Sequence, residues 1–161
     1  METLQIKKEN AINAYKAADA DIKDILSTLF GKETFVPQNI CDRVKTFEDA
    51  CAQLGIDADS AIPEAASPKL QKDELSIQAY CKLIIIVRAL NEGWKPDWKD
   101  DSQYKWYPWF DMSSGSGLAY DGYGTRVSDT SVGSRLCFKS SELAEYAGRQ
   151  FQDIYKEFMI I

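Results

Sequence analysis

Gln103–Gly124 reads QYKWYPWFDMSSGSGLAYDGYG. Its flanks are rich in Tyr, Trp and Phe, which suit the half-buried, pleated surface of a strand. Its middle is Ser and Gly, the chemistry of turns. The pattern predicts a strand over Gln103–Met112, a turn at Gly115–Gly117 and a second strand over 118–124. A third short strand is expected over Ser134–Phe138, where Leu136-Cys137-Phe138 is apolar. Everything outside this region reads as helix or linker, so the stretch decides between an all-helical chain and an α+β one.

Just upstream, Trp94, Trp98, Trp106 and Trp109 are all four tryptophans of the chain, held within sixteen residues. Before them, Asp73–Asn91 predicts a helix. Tyr80, Leu83, Ile84, Val87 and Leu90 make one stripe, and Ile85, Ile86 and Ala89 extend apolarity to the other side. A helix apolar on most faces belongs in the centre of a core. Downstream, Ser140-Ser141-Glu142 opens the last helix, with Leu143, Ala147, Phe151, Ile154 and Phe158 on its buried stripe.

The N-terminal part has helical periodicity. Ile12, Tyr15, Ile22, Ile25, Leu26, Leu29 and Phe30 predict one amphipathic helix over residues 8–30, ended by Gly31. A loop to Pro37 and a short helix over Asn39–Lys45 follow. Thr46-Phe47-Glu48-Asp49 is a helix start, with Thr46 as cap and two acids at the positive end of the dipole. Gly55 stops that helix. Residues 56–72, with Pro63 and Pro68, read as a linker. The expected organisation is therefore an N-terminal helical region (1–55), the linker, and an α+β ligand-binding region (73–161), all forming one compact unit.

Composition bounds the function. Hydrophobic residues at 45% and charged residues at 27% are ordinary for a globular chain able to bury a core without staples. The net charge is −6, and neither the first hundred residues nor the remainder is basic. Phosphate-backbone binding needs a Lys/Arg cluster, so nucleic acid is not an expected partner. Cys41, Cys51, Cys81 and Cys137 contain no C-x-x-C pair, and histidine is absent, which removes Cys/His zinc patterns and the usual nucleophilic triads. The thiols read as reduced and structural. The N-terminus METLQIKKEN has no apolar signal core, and the longest aliphatic run, Leu83–Val87, is too short to span a bilayer. The expectation is cytoplasmic synthesis without membrane insertion, and association with a larger particle if the protein acts outside a cell.

Several motifs admit two readings. Trp106, Tyr107, Pro108, Trp109 and Phe110 suit either a stacking platform or a core strand, and alternation lets one strand serve both. Asp97, Asp100 and Asp101 lack the spacing and terminal Glu of a calcium loop. Gly115-x-Gly117 and Gly122-x-Gly124 complete neither a dinucleotide fingerprint nor a phosphate loop. Asp111 and Asp121 are acids without a spacing that selects them as a glycosidase pair. Arg126 is expected to be exposed, and Arg135 to be an ion-pair partner within the third strand. No cofactor, metal or catalytic residue is expected.

Ser113–Gly133 holds five Ser, five Gly, two Tyr, two Asp and two Thr in 21 residues. That is the composition of a paratope: adaptable small residues, short hydrogen-bonders, and rings that bury area at low entropy cost. The stretch also contains no Lys, Glu, Gln, Met or Trp, although these number 39 in 161 and about five would fall here by proportion. Adenine-directed mutation of pyrimidine-ended Asn codons produces that same exclusion. Turn-rich loops disfavour some of these residues too.

Val132–Ser140, VGSRLCFKS, and the following SELAEYAGRQF resemble proteins of gut Bacteroidales and their phages, as do TFEDACAQLG, LNEGWKPDW and YPWFDM. The likeness spans roughly residues 40–160. Members of that set differ mainly in the segment corresponding to 118–131. The pattern resembles target proteins of diversity-generating retroelements, whose ligand-binding face is varied by template-copying errors. The resemblance implies a non-enzymatic binding protein, phage-associated, with Tyr120, Asp121, Tyr123, Thr125, Arg126, Ser128 and Asp129 as contact residues. Trp106, Tyr107 and Trp109 are the candidate stacking rings beside them. Its ligand would be a protein or a carbohydrate. A structural or assembly role in a phage particle, using the aromatic run as interface, is the alternative; a carbohydrate-active enzyme is a third. Such targets often have a C-type-lectin-like fold, from which a helix of some eighteen residues after the variable segment departs. The expected fold is α+β: a small, mostly antiparallel sheet over about 103–138, packed on helices, with an N-terminal helical layer.

Overall fold

The computed structural model describes residues 5–36, 39–63, 73–113, 115 and 117–160. The expected turn at Gly115–Gly117 lies partly outside these residues, as do Pro37, Pro68 and most of the 56–72 linker. The chain forms two compact units that meet at Asn39/Ile40.

The first unit holds α1 (Lys8–Ala17), α2 (Ala20–Phe30) and a 3-10 turn over Lys32–Thr34. The single helix expected over 8–30 is thus two. Ala18 and Asp19 are extended, and the Asp19 carboxylate accepts the Ile22 N–H at 3.0 Å. An N-cap of this kind satisfies one orphan donor and restarts a helix, while the apolar spacing runs through the break unaltered. Within this unit Tyr15 stacks on Phe35 at 4.2 Å, and Phe30 meets Phe35 edge-on.

The second unit holds α3 (Ile40–Arg43), α4 (Phe47–Leu54), α5 (Glu74–Leu90), β1 (Lys105–Asp111), β2 (Ala119–Arg126), α6 (Ser141–Gln150) and α7 (Gln152–Met159). Residues 40–54, expected with the N-terminal helices, belong here, since Ile40, Val44, Ala50 and Cys51 lie in its core. α4 begins as read: Thr46 Oγ1 accepts the Asp49 N–H, and Asp49 Oδ2 accepts the Thr46 N–H, a reciprocal box worth about 1 kcal/mol. Gly55, at φ 67°, ends it. α5 is the central helix. It packs on α4 and α7 and buries Leu83, Ile86, Val87 and Leu90. Among the described residues no helix is long and apolar enough to cross a membrane.

The fold is α+β, with a two-stranded antiparallel sheet. β1 and β2 pair from Lys105↔Arg126 to Asp111↔Ala119, and Asp121 is the extra residue of a bulge between Trp109↔Gly122 and Phe110↔Tyr120. The third strand expected over Ser134–Phe138 is a single bridge. Trp106 N–H donates to Phe138 O at 3.0 Å, and Phe138 N–H returns to Trp106 O at 2.7 Å. Two residues on, Pro108 faces the same edge and has no N–H, so the pairing stops there. Arg135 therefore sits exposed in a turn and makes no ion pair among the described residues.

The last helix is also divided. Phe151, at φ −112° and ψ 26°, separates α6 from α7. Its side chain is buried with Leu143 and Ala147, while Ile154 and Phe158 are half-buried. Tyr155 lies deeper than either, against Phe110 at 4.9 Å.

Candidate functional site: the uncovered half of the hairpin

Cross-strand neighbours in an antiparallel pair point to one face. Trp106, Pro108 and Phe110 therefore share a face with Thr125, Tyr123 and Tyr120. α6 covers one half of it, and Gly148 is the reason it can. A Cβ at Gly148 would lie 2.5 Å from the Tyr120 ring and 2.8 Å from Pro108 Cβ. The helix backbone thus comes directly against the strands. Phe110 meets Tyr120 edge-on at 6.2 Å beneath it. Arg149 stacks over Tyr120 at 4.5 Å, and the Tyr120 N–H donates to Gln152 at 3.1 Å. Burial, with the Glu145 carboxylate, raises the Tyr120 hydroxyl above its ordinary pKa. Tyr120 is half-buried and packs against α6 at the covered end of this face.

The other half of this face is uncovered. Tyr104 and Tyr123 are 55% and 48% exposed, and half-buried Trp106 lies between them. The Trp106 ring is 6.0 Å from Tyr104 and meets Tyr123 edge-on at 5.5 Å. Beside them Thr125 has a buried Oγ1 with no partner among the described residues. Asp121 is exposed at the bulge, and Ser128 and Asp129 are exposed beyond the end of β2. Arg126 is half-exposed and reaches Asp129 at only 3.6 Å.

The opposite face divides differently. Tyr107 is 3% exposed and lies across its cross-strand partner Gly124, where a Cβ would come within 2.7 Å of the ring. Trp109, two residues on, is 54% exposed. Of the three rings expected to stack, Trp106 and Trp109 are accessible on opposite faces, and Tyr107 is in the interior. Lys105 begins this face and is buried. Its Nζ donates to Val127 O at 2.8 Å and Asp100 O at 3.2 Å, beneath the Trp98 ring at 5.3 Å. Trp98 in turn donates to Ser134 Oγ at 2.7 Å. These bonds tie the base of the hairpin to the loops around it, so the rings are displayed on fixed backbone. A buried Lys beginning a strand carried no local signal in the sequence, and neither did Tyr104 as a member of the ring set.

The acids show no catalytic arrangement among the described residues. Asp111 accepts from the Ser113 N–H and hydroxyl at 2.8 and 2.7 Å, and these bonds hold its carboxyl below the usual range. Asp100 is held low in the same way by Ser102. Asp97 accepts the Lys99 N–H. No group of three or more His, Cys, Asp or Glu side chains is placed to hold a metal among the described residues. No disulfide joins the cysteines, and burial pushes the Cys137 thiol up to about 11. No protein-family model matches the chain, and no match appears among curated proteins or solved structures.

Proposed function

We propose that this is a non-enzymatic binding protein that presents β2 and its adjoining rings to a protein or carbohydrate ligand. The observation that carries this reading is the contiguous set Tyr104, Trp106 and Tyr123, left open on a hairpin whose other half is clamped by α6. Rings of this kind offer contact area at low entropy cost, and Arg126, Asp121, Ser128 and Asp129 around them offer adaptable hydrogen bonding. The same β2 residues lie in the Lys-, Glu-, Gln-, Met- and Trp-free stretch, which supports a phage-associated protein whose face is diversified by a retroelement.

The test is binding to immobilised panels of glycans and surface proteins, with Tyr123→Ser/Arg126→Ser as the paired variant. Wild type should be retained on at least one ligand, and the variant should lose it while keeping a cooperative unfolding transition, with stability lowered by no more than about 2 kcal/mol. Equal retention of both would place the binding face elsewhere. The diversification part has its own test in the flanking DNA. A reverse-transcriptase gene and a near-repeat of the coding segment differing at adenines are expected; their absence overturns that part alone.

An assembly role is the second reading. It is favoured by exposed Trp109, Met112 and Met159 around an open apolar pocket of about 290 Å³. That reading expects self-association through those residues, measurable by sedimentation of wild type against Trp109→Ser.

A further inference from the structure

In a chain of net charge −6, one pocket gathers cations and no acid. Arg88 from the last turn of α5, Lys95 from the loop after it and Arg135 from the turn before Leu136 line a cavity of about 480 Å³. They come from three separated segments, so the grouping is made by the fold. Arg43, Arg126, Lys139 and Arg149 all have carboxylate partners; Arg88, Lys95 and Arg135 have none among the described residues. Of the acids near them in sequence, Glu92 is engaged by Lys139 and Arg43, which hold its carboxyl below the ordinary range, and Asp97 accepts the Lys99 N–H at 2.9 Å. The negative end of the α5 dipole favours cations here, but its roughly half charge cannot balance three.

The walls are apolar: Ile84, Val87, Trp94 and Pro96. The backbone beside it is also pre-organised. Buried Asn91 donates from Nδ2 to Cys137 O at 2.9 Å and accepts the Lys139 N–H on Oδ1 at 3.0 Å. Its backbone carbonyl accepts the Trp94 N–H at 2.9 Å. One side chain and its own carbonyl thus fix the backbone beside the pocket, while the exposed Arg88, Lys95 and Arg135 side chains order on binding.

We propose that this pocket binds a small organic anion: a flat, largely apolar body carrying a carboxylate or phosphate group. Its volume is within the range of small-molecule sites. Guanidinium forks match the planar carboxylate and the phosphate face, and the Trp94 ring and Ile84 match the body. None of the lining residues belongs to the hairpin platform, so this is a second site, independent of the ligand proposed above.

The test uses the full chain, with 2-naphthoate and 2-naphthyl phosphate as anions and 2-naphthamide as the neutral control. The Trp94 indole N–H resonance is the reporter. Both anions should shift it saturably, and the amide should bind at least tenfold more weakly. Arg88→Gln/Arg135→Gln should weaken anion binding at least tenfold at unchanged melting temperature, while Arg126→Gln should leave it unchanged. Lys95→Gln, in an exposed loop, gives a second readout should the double variant fold poorly; it should weaken binding several-fold. Whichever anion binds tighter names the group recognised, and either order supports the site. Equal affinity for the amide, full affinity in the double and Lys95 variants, or no shift up to millimolar anion would overturn it.

Discussion

β1 buries Lys105, Tyr107, Pro108 and Phe110, whereas β2, its partner in register, has no fully buried residue. Both strands are held by the same ladder of backbone bonds. Their side chains divide the labour: β1 turns large rings into the core, and β2 supplies one ring, Tyr120, where Gly148 lets α6 approach, and a glycine where Tyr107 comes close. Gly124 makes room for Tyr107. What remains on β2, with the residues just beyond it, faces water: Asp121, Tyr123, Arg126, Ser128 and Asp129. A hairpin built this way is expected to tolerate change at its outer residues, because most of its core packing comes from β1 and from Tyr120.

The contrast between the two strands is tested most severely on β1. Phe110→Ala removes a ring packed between Tyr120 and Tyr155 and should cost about 3–5 kcal/mol by chemical denaturation. A loss below about 1 kcal/mol would show that β1 does not anchor the sheet. Gly148→Ala probes the contact between α6 and the strands. Alanine favours a helix by about 1 kcal/mol, yet the added methyl meets Pro108 and Tyr120, and overpacking costs about 1–3 kcal/mol. The net expectation is destabilisation; a more stable variant would mean that α6 stands off the hairpin.

Tyr155→Phe sharpens the view beneath β1. The Tyr155 hydroxyl is buried and has no partner among the described residues, and burial raises its pKa. Removing a buried, unsatisfied group should be neutral or stabilising by up to about 1 kcal/mol. A loss of more than 1 kcal/mol would reveal a bond to that hydroxyl.

What the sequence disclosed follows the range of the forces involved. Thr46 and Gly55 act within one turn of helix, and the short patterns around them were sufficient. The all-round apolarity of α5 reported its central position. The break at Asp19 was also local, an Asx cap within reach of a reading, but continuous periodicity concealed it. The break at Phe151 has no Pro or Gly at the site, and no local pattern marks it. The allocation of Trp106, Tyr107 and Trp109 to open face, core and opposite face was not legible. It depends on what packs against each face of the hairpin, and that is a tertiary fact. Arg88, Lys95 and Arg135 are too far apart in sequence to announce a shared pocket.

β2 is expected to display residues the fold does not need. Tyr123→Ser, Arg126→Ser and Asp129→Ser combined in one chain test it most directly, with the free energy of unfolding as the readout. Surface changes cost about 0.5 kcal/mol or less, and losing the Trp106–Tyr123 edge contact adds about 0.5–1.5 kcal/mol. The expected total is below about 2.5 kcal/mol, with an unchanged cooperative transition. A loss above about 3 kcal/mol, the scale of an emptied core, would mean that β2 is framework like β1 and would contradict it.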